Sequence, residues 1–320
     1  MLTELPAGIG IALLTPDLFV TGAWPALAAR LDALGLHLAA FTVVDATDAT
    51  MAALYEGNTF KAGRARIGST LGRKLPTLDM NIAVALAARP DVDVPALLDT
   101  AKGPSAYGAR QPGDLREAGR VAHRCMSLIH TPDAELAGRD AAILFGEAAA
   151  GLNPAERLDP GVIDDVRGYL SPADEPHPYD IVCRTIVRAA SVLSLDARLA
   201  LPDEPAALVK AAKDLSAALR DVAPRNLADA VRTGLRPLAG LAASLHVPPV
   251  PTPASAAAFE VGVLRLELVR VLTVLTDCAV WSERSGETVV TALRRAALFV
   301  SPWERHMLLT ALTFLPGPRG

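Results

Sequence analysis

The chain has 320 residues, of which 51% are hydrophobic, 21% charged and 4% aromatic, with a formal net charge of -4. That length accommodates two domains, because single cores usually stop growing below about 250–300 residues. Abundant Ala and Leu beside few aromatics favour packed helices over an all-β sandwich, and the mild acidity excludes a generic nucleic-acid coat, whose surface must be basic.

In chain order, Gly8–Leu14 reads as a buried strand stopped by Thr15-Pro16-Asp17, and Trp24–Leu34 as a helix with Leu27, Leu31 and Leu34 on one face and Gly35 as its stop. Leu36–Val44 is a second strand, and Asp48–Tyr55 a short helix opened by an Asp cap. A strand at Asn81–Ala87, a helix at Val94–Ala101, a strand at Met126–Ile129 and a helix at Pro132–Leu144 complete the alternation. The order predicts an α+β, ferredoxin-like βαββαβ domain over residues 1–150.

From 151 to 180 the composition shifts to Pro, Asp and Glu, which predicts a partly helical connector. Residues 181–320 lack a convincing strand. Helical periodicity over Ile181–Leu195, Pro205–Val222, Leu227–Leu245, Ala256–Val280 and Thr288–Phe299 predicts an all-α helical bundle. Val247-Pro-Pro-Val-Pro-Thr-Pro253 reads as a stiff spacer within it. No 20–50-residue repeat is visible. The apolar run after Glu4 is too short to span a bilayer and lacks a basic flank, and Arg265, Glu267, Arg270 and Asp277 interrupt the most apolar later stretch. With Cys125, Cys183 and Cys278 far apart and no CxxC, a cytoplasmic, non-membrane protein is expected.

The strongest local candidate is Ser127-Leu-Ile-His130-Thr-Pro-Asp133, where a histidine ends an apolar strand just before a helix. A neutral imidazole there serves as base, metal ligand or phosphoryl acceptor; the plainer alternative is a histidine that packs and bonds a loop carbonyl. A second feature is the run Phe60–Pro76, which carries Lys61, Arg64, Arg66, Arg73 and Lys74 with no acidic residue between Glu56 and Asp79. It is either a solvated face or a site for a polyphosphate, a nucleotide-bearing substrate or an RNA end. Gly68-Ser-Thr-Leu-Gly72-Arg-Lys74-Leu75 has the wrong spacing for a P-loop. His123-Arg124-Cys125 does not place its Cys and His side by side, and His177 and His246 fall beside Pro-rich stretches. No histidine pair has helical metal spacing, so no metal site made by protein alone is expected.

Residues 8–146 resemble a nucleoside diphosphate kinase in element order and local motifs. Ile11-Ala-Leu-Leu-Thr-Pro-Asp17 with Thr21-Gly22 is similar to the family's opening strand and Lys-Pro-Asp turn, and Tyr55 falls where the family has an active-site tyrosine. Gln111-Pro-Gly-Asp-Leu-Arg116 is similar to its Pro-Gly-Thr-Ile-Arg, and the His130 segment to its Asn-Val-Ile-His-Gly-Ser-Asp. The resemblance implies that His130 is the phosphorylated histidine, that Tyr55 lines a nucleotide site, that Arg116 neutralises phosphate, and that Mg²⁺ arrives with ATP or GTP. It also implies a homo-oligomer. Several positions depart from the pattern: the family's Lys is Thr15, its Asn is Ser127, and its Gly-Ser is Thr131-Pro132. Its phosphate-binding arginine falls near Leu97, with Lys102 a partial substitute, and the glutamate orienting the imidazole falls at Asp140 or Ala141. Each lost transition-state donor costs about 10²–10³ in rate. The expectation is therefore phosphoryl transfer through His130 to an altered small-molecule or protein acceptor rather than housekeeping activity. The alternatives are a catalytically inactive nucleotide sensor or protein-interaction scaffold and, third, an RNA binder.

Overall fold

The computed structural model describes residues 4–56, 70–104, 109–118, 125–170, 178–195, 204–222, 226–245 and 256–314. The chain divides into two compact units, residues 1–175 and 176–320.

The first unit is α+β. Strands β1 (Ile9–Leu14), β2 (His37–Val44), β3 (Asn81–Ala87) and β4 (Ile129–His130) form one sheet in the order β2-β3-β1-β4. Every neighbouring pair is antiparallel. Helices α1 (Pro16–Val20), α2 (Trp24–Ala33) and α3 (Asp48–Leu54) precede a helical turn, α4, over 70–74. Then come α5 (Val94–Ala101), α6 (Ala137–Phe145) and α7 (Gly161–Leu170). β1 and β3 are buried at every position. This follows from their place at the centre of the sheet, covered on both faces, and explains why their sequences are continuous apolar runs rather than alternating ones.

On one face Ile9, Ile11 and Leu13 pack with Ala83, Ala85 and Ala87 of β3, Met51 and Leu54 of α3, and Ala141 and Leu144 of α6. On the other, α5 approaches β1 so closely that a Cβ at Gly10 would stand 2.7 Å from Val94 Cγ1 and 2.9 Å from Leu98 Cδ1. Only glycine permits that approach. The cap of α3 is Thr47, which accepts the Thr50 N–H, rather than the expected Asp, since Asp48 is already the first helical residue; Asp93 caps α5 through the Ala96 N–H.

The strand predicted at Met126–Ile129 is only the two residues Ile129–His130. The reason is local. Leu128 has a positive φ of 59°, its N–H donates to Asp17 Oδ2 at 2.8 Å, and the Ile129 N–H closes a tight turn onto Ser127 O at 2.6 Å. Those donors cannot also serve a ladder. Similarly, the helix predicted from Pro132 starts later, a 3₁₀ turn at Ala134–Leu136 leading into α6.

The second unit is helical throughout its described residues: α8 (Pro178–Leu195), α9 (Glu204–Leu219), α10 (Leu227–Ser244), α11 (Ala256–Thr276), α12 (Glu283–Arg295) and α13 (Pro302–Phe314). The helix expected from Thr288 begins at Glu283, because Ser282 and Ser285 form a reciprocal capping box. The expected stretch to Val280 ends as a helix at Thr276, where Asp277 caps a separate 3₁₀ turn at Cys278–Val280. The sequence reading also passed over α13, whose Trp303, Met307, Leu308 and Leu312 are buried. Val247–Pro253 lies outside the described residues. No helix among the described residues is long and apolar enough to cross a membrane.

Candidate functional site

His130 is placed by β4. It pairs with Leu13 across the antiparallel ladder, and directly opposed residues share a face, so the imidazole lies on the side covered by α3 and α6. There its Nε2 stands 3.6 Å from Asp140 Oδ2, with the histidine side chain 13% exposed and the aspartate 1%. Nε2 is buried and has no hydrogen-bond partner among the described residues. The exposure left to the ring therefore belongs to its other atoms.

Tyr55, the residue that caps the end of α3, sets its ring 5.1 Å from the imidazole at a 48° tilt, and the Arg73 guanidinium lies over the tyrosine ring, 5.0 Å from its centroid. Burial pushes the Tyr55 hydroxyl above its ordinary 10, against the charges of Arg116 and Arg73. It is therefore a neutral donor at physiological pH. Arg73, Tyr55, His130 and Asp140 thus form a continuous row of polar and aromatic groups.

Arg139 holds this row together. Its Nε and Nη2 donate to Asp140 Oδ1 at 3.0 and 2.8 Å, while Nη2 and Nη1 also reach the carbonyls of Leu54 and Glu56 at 3.1 and 3.3 Å. One guanidinium therefore fixes the carboxylate and the backbone on either side of Tyr55. Asp140 Oδ1 is occupied by the arginine, which leaves Oδ2 for the imidazole.

Arg116 is 9% exposed; its Nη1 donates to Gly103 O at 2.8 Å. Burial pulls its pKa below the usual arginine value, opposed by Tyr55 and by Asp133, Asp99 and Asp114. It stays cationic, as arginine does in proteins. Lys102, read as a substitute phosphate ligand, is held by two carboxylates, Asp99 at 2.5 Å and Asp133 at 3.1 Å. A phosphate there would have to displace one of them. Thr15 is buried, its N–H on Leu128 O at 3.1 Å and its hydroxyl beside the Asp17 carboxyl. Ser127 is half-buried in the turn before His130. Of the basic run, Arg73 joins Tyr55, whereas Lys74 pairs with Asp48 at 3.0 Å. Lys61, Arg64 and Arg66 lie outside the described residues, as do His123, Arg124, His177 and His246.

The supporting frame contains two groups that the sequence reading did not single out for a role. Arg110, 8% exposed, donates to the carbonyls of Arg116, Met126 and Pro104 at 2.8, 3.1 and 3.3 Å. Asp17, fully buried, receives the Leu128 N–H and so fixes the turn that presents His130. Burial, the larger effect, lifts the Asp17 carboxyl above its ordinary 3.8, against the Leu128 N–H and the Arg110 charge. The native state then keeps this proton to higher pH than the unfolded chain, so the group lowers stability as pH rises from 3.8 through the native pKa. Asp17→Asn, which retains an acceptor for Leu128, is expected to flatten that decline. Urea midpoints of both proteins between about pH 4 and 7 measure it; parallel curves would contradict the assignment.

The cysteines do not offer a competing nucleophile. Burial pushes the Cys183 thiol up to about 12 and Cys278 up to about 11, and Cys125 is buried.

No protein-family model and no curated protein matches the chain. Among solved structures, an NDP kinase from Pyrobaculum aerophilum is similar at 16% identity and a TM-score of 0.34, covering 45% of this chain and 99% of that one.

Proposed function

We propose that the first unit is a ferredoxin-like, nucleoside-diphosphate-kinase-like nucleotide-binding domain, in which His130 takes the terminal phosphoryl group of ATP or GTP and passes it to an acceptor. The observation that carries this reading is the imidazole itself: Nε2 is turned inward toward Asp140, and on this reading Nδ1 is left to react. A proton on Nε2 facing the carboxylate leaves the lone pair on Nδ1. As the Nδ1–P bond forms, the bond from phosphorus to the bridging oxygen breaks, and the nucleoside diphosphate departs with that electron pair. Asp140 then stabilises the cationic ring, and the acceptor oxygen reverses the exchange as it gives up its proton. Arg116 and Arg73 both place positive charge on Tyr55, the ring beside His130, and that charge would compensate the transferring group.

Among the described residues no group of three or more His, Cys, Asp or Glu could hold a metal ion. On this reading a Mg²⁺ would be held by the nucleotide phosphates, where it would neutralise their charge.

A specific observation also favours the second reading, a nucleotide sensor without catalysis: Lys102 is already neutralised by Asp99 and Asp133. Incubation of the full chain with γ-labelled ATP or GTP and Mg²⁺, beside His130→Ala, separates the two. Acid-labile, base-stable label on the wild type and none on the variant is the expected result. Nucleotide binding without label would leave the sensor.

A further inference from the structure

We propose that the cleft between α11 and α12 in the second unit binds a small dicarboxylic acid. The cleft encloses about 310 Å³, at the small end of ligand pockets. Arg295, at the end of α12, pairs with Glu267 in the middle of α11 at 2.7 Å, while Arg284, in the first turn of α12, lines the same cleft as Val274, near the end of α11. The helices therefore double back. Glu267 and Arg284 stand toward opposite ends, with Arg270 between them.

The charges in this cleft are not balanced. Glu267 is matched by Arg295, and Glu287 by Arg305 at 2.6 Å, whereas the guanidinium groups of Arg270 and Arg284 make no ion pair or hydrogen bond with any described residue. Two unmatched guanidinium groups on the wall of one cleft call for two anionic groups, and the planar fork of arginine suits carboxylates. Val271, Val274 and Ala292 supply an apolar floor for a short carbon chain.

This inference concerns the second unit alone and does not depend on His130. The test is calorimetric titration of the full chain with malate, succinate and inorganic phosphate, repeated on Arg270→Gln, Arg284→Gln and the double variant. Both arginines are exposed and without partners, so glutamine there leaves the fold intact, which circular dichroism checks. Malate and succinate are expected to bind saturably, and the double variant to bind both at least about tenfold more weakly. No saturable heat with malate at millimolar concentrations would overturn the site. Unchanged affinity in the double variant would overturn its location, and phosphate binding as tightly as malate would overturn the ligand class.

Discussion

Arg110→Ala is expected to lower the unfolding free energy by about 3–5 kcal/mol. The side chain is buried and donates to three carbonyls from separate stretches, Pro104, Arg116 and Met126. Alanine leaves those oxygens buried without their donor, and each such loss costs about 1–3 kcal/mol, with sharing between them. The variant also removes the charge that moderates the buried Asp17 carboxyl. Lysine should recover only part of the loss, since a single ammonium cannot span three acceptors as a guanidinium does. Urea unfolding at neutral pH reads the effect. A change below about 1 kcal/mol would mean that the three segments are held by other contacts.

Arg116→Ala is expected to act on rate instead. Its backbone N–H and carbonyl, which bond Lys102 O and Arg110, survive the substitution. The guanidinium is lost, and with it the bond to Gly103 and the positive charge beside Tyr55. On the proposed mechanism that charge acts on the transferring phosphoryl group, so labelling of His130 by ATP should slow by about 10²–10³ while nucleotide still binds. Arg116→Lys should restore less than half of the loss in logarithmic terms, because it keeps charge without the fork. Labelling at the wild-type rate in Arg116→Ala would assign the arginine to structure alone.

The contrast between these two arginines shows what could be read from the sequence. Arg116 follows a Pro-Gly turn whose order and spacing single it out, and His130 and Tyr55 stand at the ends of elements that periodicity delimits. Strands β1 and β3 were legible for the same reason: each is an uninterrupted apolar run of strand length bounded by turn residues. Arg110 bears no local signal, since its partners lie six and sixteen residues away across a loop. The clamp by Arg139 is less legible still, because its carbonyl acceptors are 83 and 85 residues distant and only the assembled sheet brings them near. The short β4 was misjudged through one backbone angle. A leucine at positive φ goes against its steric preference, and nothing in an apolar run announces it. A buried aspartate three residues after β1 was the available sign, since a carboxylate placed there needs donors.

The central claim is that His130 carries a phosphoryl group on the ring nitrogen turned away from Asp140. Phosphorus–proton correlation NMR of the chain after reaction with ATP and Mg²⁺ tests it most directly, since the two phosphohistidine isomers give different couplings to the ring protons. The account predicts a single species phosphorylated at Nδ1 of His130. Phosphate at Nε2, phosphate on another residue, or bound nucleotide with no phosphorylated protein would contradict it.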